Sequence, residues 1–238
     1  MKTIGLLGGM SWESTVTYYT NINRMINQQL GGLHSAKLLL ASVDFAEIEA
    51  YQKENEWEKS AVVLTKAAQK LEKSGADFLL ICTNTMHKNY HYIQNNLSIP
   101  VLHIADATIA ELQNKNISHI GLIGTSYTME QDFYKKRIVD SGIQVTIPEQ
   151  DEIAKVNDII FKELVFGKTL AESKSFYLEV IEKMVRKGAQ GIILGCTEID
   201  LLIQQEDLTI PVFDTTIIHS EKAVNEALKE VSTCSYNT

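Results

Sequence analysis

The chain is written twice. Ile4-Gly5-Leu6-Leu7-Gly8 recurs as Ile120-Gly121-Leu122-Ile123-Gly124, each a short apolar run ending at glycine. Lys73 to Asn84, KSGADFLLICTN, recurs near Arg186 to Glu198, RKGAQGIILGCTE, and Ser98-Ile99-Pro100-Val101 recurs as Thr209-Ile210-Pro211-Val212. The offsets are 116, 113 and 111 residues, in the same order along the chain. Three matches in register restrict the fold to one that can be built twice from a single design. At 238 residues the chain is long enough for two cores, of about 100–120 residues each.

Between the landmarks the hydrophobic period alternates. Ser11 can cap a helix whose apolar stripe is Val16, Tyr19, Ile22, Met25/Ile26 and Leu30, closed by Gly31-Gly32. Lys37 to Val43 reads as a strand, and Trp57, Ala61, Leu64, Ala68 and Leu71 form a second helical stripe before the strand Phe78 to Cys82. The second half adds helices around Met129 to Ile138, Ile153 to Phe166 and Phe176 to Val185. Continuously apolar strands separated by amphipathic helices indicate parallel sheets covered on both faces. The expected fold is α/β, with two pseudo-symmetric domains, each a parallel sheet flanked by helices. Residues 1–100 plus 213–238 are assigned to the first domain and 101–212 to the second, with Pro100 and Pro211 at the crossings. The final helix, roughly Thr215 to Leu228, is expected to return to the first domain. That arrangement places the expected active site in the interdomain cleft, at the C-terminal ends of both sheets.

Composition narrows the partners. Apolar residues make up 45% of the chain, which sets aside disorder. The net charge is −8 and no dense Lys/Arg cluster occurs, so nucleic acid meets a repulsive average field and is not expected as a partner. The apolar runs fall far short of the ~20 residues that span a bilayer, so no membrane partner is expected. Met1-Lys2-Thr3 leads straight into a strand without a signal-peptide layout, and a cytoplasmic location is expected. Three cysteines do not make a disulfide framework, and no C-x-x-C or Cys/His cluster predicts a metal.

Each cysteine therefore needs its own account. Aligning the repeat without a gap from Gly75 and Gly188 pairs Thr83 with Cys196 and Cys82 with Gly195, because a one-residue slip turns a strand side chain to the opposite face. Cys196, at a strand end and followed by Thr197, is a candidate acid/base or nucleophile, with simple burial an equal alternative. Cys82 reads as a core residue and Cys234 as an incidental thiol in the polar tail. Asn84 and Thr85 offer hydrogen bonds to a carboxylate or, equally, caps for a helix. His87 can cap or pack. Gly8-Gly9 permits a close backbone approach by a ligand, but neither G-x-G-x-x-G nor a Walker pattern is present, so no nucleotide is expected. Trp12 and Trp57 read as packing residues.

Four segments in order, GLLGGMSWEST (Gly5 to Thr15), CTNTMH (Cys82 to His87), GTSYTMEQDFY (Gly124 to Tyr134) and GCTEI (Gly195 to Ile199), resemble the aspartate/glutamate racemase family. The resemblance spans nearly the whole chain. It implies two facing acid/base residues that exchange a proton at the Cα of an amino acid, and no cofactor. In the usual pattern both are cysteines, one before N-T-x-H and one within G-C-T-E. Here Thr83 stands before Asn84-Thr85-Met86-His87, and Cys196 occupies the second place. The resemblance thus implies Thr83 and Cys196 as the catalytic pair, with Met10, Gln52, Asn84, Thr85 and Thr197 as substrate-binding residues. Glu198 after Cys-Thr differs from the C-T-H of the glutamate branch and favours the aspartate or broad-specificity branch. Asp44 to Gln52 carries no basic residue to hold a side-chain carboxylate, although Gln52 offers an amide donor. A small amino acid as substrate and a homodimer are expected. A single-cysteine decarboxylase of the arylmalonate type and a non-catalytic amino-acid-binding module are the alternatives.

Overall fold

A computed structural model describes residues 1–229. Cys234, expected to be incidental, lies outside the described residues. The chain divides into two compact units, Met1–Ile104 with His219 onward, and Ala105–Ile218.

In the first unit, β1 (Ile4–Gly8), β2 (Leu38–Ser42), β3 (Phe78–Ile81) and β4 (Val101–Leu102) form a parallel sheet in the order β2-β1-β3-β4. In the second, β5 (His119–Gly124), β6 (Gln144–Thr146), β7 (Ile192–Gly195) and β8 (Val212–Asp214) form another in the order β6-β5-β7-β8. The two sheets have one topology, and their registers coincide. Gly5 pairs with Leu79 and Leu79 with Val101. Gly121 pairs with Ile192 and Ile192 with Val212. These pairings reproduce the three sequence offsets strand by strand, so backbone geometry makes Thr83 the counterpart of Cys196 and Cys82 the counterpart of Gly195. The segments after Pro100 and Pro211 are the last strands of the two sheets. The units change over a few residues later, at Ile104–Ala105 and Ile218–His219, where the sequence reading had put the crossings at the prolines.

Helices flank the strands as the period requires. α1 (Trp12–Leu30) is capped by Ser11, whose hydroxyl accepts from the Ser14 amide. Its buried face is Ser14, Thr15, Tyr18, Ile22 and Ile26, whereas Val16 and Tyr19 are 52% and 53% exposed. The apolar stripe read from the sequence is therefore rotated in its first turns. Polar residues do the anchoring there: Ser14 Oγ donates to the Cys82 carbonyl at 2.8 Å, and the Gly9 amide donates to Thr15 Oγ1 at 2.8 Å. Trp12 at the head of this helix is 65% exposed and does not pack.

α2 (Phe45–Lys53) and α3 (Trp57–Lys73) follow β2. α3 buries Ala61, Leu64, Ala68 and Leu71 as the stripe predicts, and Trp57 packs at the margin of the same core with Lys88 Nζ 3.8 Å from its ring centre. α4 (Tyr90–Gln94) and α5 (Ile104–Asn114) complete the first repeat. In the second, the helix expected over Met129 to Ile138 is two, α6 (Ser126–Glu130) and α7 (Asp132–Asp140), parted by an extended Gln131. α8 (Gln150–Lys162) stops before a short 3₁₀ turn, Leu164–Phe166, which Gly167 closes in a left-handed conformation. α9 (Ala171–Arg186) and α10 (Thr215–Leu228) are the remaining helices, and α10 residues from His219 onward belong to the first unit. Among the described residues no helix is long and apolar enough to cross a membrane.

Candidate functional site

In a parallel α/β sheet the backbone leaves the C-terminal strand ends to face a ligand. In the first unit these ends are Gly8 to Ser11 and Cys82 to Thr85. Cys82 is fully buried in a core with Ile4, Leu6, Tyr18, Phe78 and Leu80, and burial pushes its thiol far above the ordinary range. It has no accessible chemistry, in keeping with its reading as a core residue. The next residue, Thr83, lies at the edge of the core and is half-buried.

His87 fixes the backbone at Thr83. The Ile104 amide donates to His87 Nε2 at 3.2 Å, so the ring proton sits on Nδ1, which donates to the Thr83 carbonyl at 2.8 Å. The imidazole thus packs, and by accepting the amide of Ile104, the first residue of α5, it also caps that helix's N-terminus. Asn84 is buried at the start of a 3₁₀ turn, Thr85–Asn89, and its side chain makes no capping bond there. Capping, one of the two roles open to Asn84 in the sequence, does not account for it.

Met10 and Gln52 land deeper than a simple binding role requires. Met10 is buried among Leu7, Ile48 and Met86. Gln52, on α2, is buried with its Nε2 3.8 Å from Met86 Sδ, a weak acceptor. The structure thus groups Met10, Gln52 and Met86 in one layer beside the β1 end. Gly9 has φ +93°, and a Cβ on it would come within 2.2 Å of the Val43 carbonyl oxygen. The close approach that the glycine pair permits is made by the chain's own β2 end, not left open for a ligand.

In the second unit β7 ends at Gly195, and Cys196 continues in extended geometry (φ −149°, ψ 132°) before a 3₁₀ turn, Thr197–Leu201. Cys196 Sγ donates to Glu198 Oε2 at 2.9 Å, and Thr197 Oγ1 donates to the same oxygen at 2.8 Å. Burial first, then the Glu198 charge and hydrogen bond, raise the Cys196 thiol well above its ordinary value. The resting group is a neutral thiol. The other strand end of this unit, Thr125 to Thr128, is a capping arrangement: the Thr128 amide reaches Thr125 Oγ1 at 3.4 Å. Two further carboxyls of this unit, Asp200 in the turn after β7 and Asp214 at the end of β8, are both raised chiefly by burial.

The sequence reading missed two features. Glu198 entered it only as a mark of the family branch, since a carboxylate two residues after a cysteine matches no general spacing rule. The pair Tyr18 and His219 was also invisible, because the partners are 201 residues apart: Tyr18 Oη lies 2.9 Å from His219 Nδ1. Among the described residues no group of three or more His, Cys, Asp or Glu is placed to hold a metal ion.

Two copies of one parallel sheet, with Thr83 and Cys196 at equivalent strand ends, can be set against known proteins. The Asp/Glu/Hydantoin racemase family model matches residues 7–223. The chain belongs to that family. A Yersinia pestis crystal structure assigned as an Asp/Glu racemase is 49% identical, with a TM-score of 0.92 over 96% of this chain and 100% of that one. An aspartate racemase homologue from Pyrococcus horikoshii OT3 is 34% identical, with a TM-score of 0.85 over 95% of this chain and 99% of that one. The broad specificity amino-acid racemase RacX of Bacillus subtilis (strain 168) is 26% identical over 94% of this chain and 98% of its own length. The family assignment agrees with the α/β architecture of two four-stranded parallel sheets.

Proposed function

We propose that the protein is an amino-acid racemase that needs no cofactor and acts on aspartate, glutamate or both, with a range that can extend to other amino acids. The observation that carries this reading is the register equivalence of Thr83 and Cys196, within a family whose named relatives are racemases.

Racemisation at Cα needs a base on one face, an acid on the other, and donors for the carboxylate as it takes on enolate character. Cys196, as thiolate, takes the α-proton on one face. Thr83 works on the other as donor or relay, because its alkoxide is out of reach near neutral pH. Asn84, Thr85 and Thr197 hold the α-carboxylate, with Met10 and Gln52 as the further substrate-binding residues. The two partners differ so much in basicity that the enantiomer presenting its hydrogen to Cys196 exchanges faster, and the family resemblance makes that the L form. Enantiomers have equal free energy in water, so kcat/KM must be equal in the two directions, and the asymmetry is confined to kcat and KM taken separately.

The test is solvent exchange. L- and D-aspartate and L- and D-glutamate are incubated in D2O with the wild type and with Cys196→Ala, and loss of the Cα proton signal is followed by NMR. Removal of the thiol is expected to slow exchange by at least about 10²-fold; exchange that continues at the wild-type rate rejects the assignment. A malonate substrate in parallel reads the decarboxylase alternative through CO2 release.

A further inference from the structure

We propose that the open edge of the first sheet, strand β2 with the groove beside it, is where a second copy of this chain docks, pairing β2 with β2 antiparallel about a two-fold axis. The proposal goes beyond the racemase reading and does not rest on it. The internal repeat supplies the comparison. The two sheets share one order, so β2 and β6 are the same edge built twice. β6 is three residues long, Gln144-Val145-Thr146, with His119 Nε2 2.7 Å from Thr146 Oγ1. So short and polar an edge is protected against recruiting another strand. β2 runs for five residues, Leu38-Leu39-Leu40-Ala41-Ser42, with no charge, no proline and no break in its register with β1, and Leu40 at its centre is 50% exposed.

The ladder fixes which groups are open. The Ile4 amide donates to the Lys37 carbonyl and the Val43 amide to the Gly8 carbonyl, so the main-chain groups of alternate residues, Leu39 and Ala41 included, face β1. Those of Leu38, Leu40 and Ser42 point away from the sheet. An antiparallel partner centred on Leu40 sets Leu40 opposite itself and Leu38 opposite Ser42, each a pair that exchanges both main-chain bonds. Side chains alternate along a strand, so Leu40 lies on the same layer as Leu38, which packs with Ile22 and Ile26 of α1. The exposed Val16 and Tyr19 of α1 belong to that layer too.

The charges select a copy of this chain over an unrelated strand. On the other layer β2 borders a groove of about 630 Å³ whose walls include Val63, Lys66, Ala67 and Lys70 of α3 and, past the end of the strand, Asp44 and Glu47. β2 and β3 both run parallel to β1, so α3 between them runs back against the strand direction. Lys70 therefore lies toward the start of β2, while Asp44 and Glu47 follow its end. Among the described residues neither Lys66 nor Lys70 has an ion-pair partner. A two-fold turn about Leu40 sets the basic end of one groove against the acidic end of the other, at both junctions at once. The result is an apolar centre with a charged rim.

Size-exclusion chromatography with light scattering should give twice the chain mass for the wild type. Leu40→Lys sets two like charges opposite each other at the axis and should give a monomer with an unchanged urea midpoint. Lys70→Glu and Glu47→Lys, both at exposed positions, should each raise the dimer dissociation constant by at least about tenfold. Mixed in equal amounts, these two variants should restore a dimer containing one of each, because a Lys70→Glu chain complements a Glu47→Lys chain at both junctions. That rescue reads this pairing directly, and it stands even where Leu40→Lys does not fold. A monomeric wild type overturns the proposal and leaves the edge to a partner of another kind. A dimer that persists in Leu40→Lys and shows no preference for the mixed pair overturns it as well and puts the interface on another surface.

Discussion

His87 Nδ1 lies 2.8 Å from the carbonyl oxygen of Thr83 and donates to it, while the opposite ring nitrogen accepts the Ile104 amide at 3.2 Å. One buried imidazole thereby ties the second residue after β3 to the second residue after β4. Replacing it with leucine leaves a buried carbonyl and a buried amide without this partner, at about 1–3 kcal/mol each. His87→Leu is expected to lose about 2–5 kcal/mol in urea unfolding, and in any folded fraction to slow exchange of the enantiomer served by Thr83 more than of the other. A loss below about 1 kcal/mol would show that the ring is not holding this junction.

The neutral state of His219 gives a pH signature. Its Nε2 donates to the Leu102 carbonyl at 2.9 Å, so Nδ1 accepts from the Tyr18 hydroxyl. Burial, reinforced by His87, lowers its pKa to about 3. Unfolded histidine titrates near 6.5, so below that pH the unfolded chain binds a proton that the folded chain refuses. The contribution is complete above about pH 6.5 and is lost as pH falls toward 3, by up to about 1.4 kcal/mol per pH unit. Asp200 and Asp214, raised by burial, contribute with the opposite sign, and Glu226 and Asp207, lowered by lysine partners, act at more acid pH. All four are common to wild type and His219→Gln, so the difference isolates the histidine. Urea unfolding between about pH 6.5 and 4.5 should show a shallower loss of stability in His219→Gln; parallel slopes would mean that His219 takes up its proton in the folded state.

The parts of the fold that the sequence made legible were those written twice. Offsets between Ile4 and Ile120, Gly75 and Gly188, and Ser98 and Thr209 translate into strand register, because each residue in a parallel ladder has a fixed neighbour. The same logic separates Thr83 from the neighbouring thiol of Cys82. What stayed illegible depended on side chains that override periodicity. Val16 and Tyr19 looked like core and face solvent, because Ser14 and Thr15 bond the β3 and β1 ends and set the rotation of α1. Trp12 is exposed for the same reason. The Cys196–Glu198 contact follows from a backbone turn that no hydrophobic pattern encodes.

Gly9 tests whether the first strand end is occupied by the protein itself. Its φ of +93° is unfavourable for an L side chain, and a Cβ would stand 2.2 Å from the Val43 carbonyl oxygen and 2.6 Å from the Val43 nitrogen. Both atoms are backbone and cannot swing aside. Gly9→Ala is expected to cost more than about 2 kcal/mol, read as a fall in Tm or in the urea midpoint. A variant as stable as wild type would show that the β2 end gives way, and that the junction is open enough to admit a ligand.

Thr83→Cys is the sharpest test of the pairing between the two repeats. If the ladder registers make Thr83 the counterpart of Cys196, a thiol placed there supplies a base where the native chain offers only a hydroxyl. The change nearly conserves volume at a half-buried position, so the fold should tolerate it. An ordinary thiol ionises near 8.5, many orders of magnitude more readily than an aliphatic hydroxyl. The enantiomer that the wild type exchanges slowly should therefore gain about tenfold or more in D2O, with little change for the other. Thr83→Ala should lose that slow exchange altogether. Cys82→Ala should alter neither, since its thiol is sealed in the core. If Cys82→Ala rather than Thr83→Cys changed the enantiomer ratio, the register argument would fail and the catalytic position would lie one residue earlier, on the opposite face of β3.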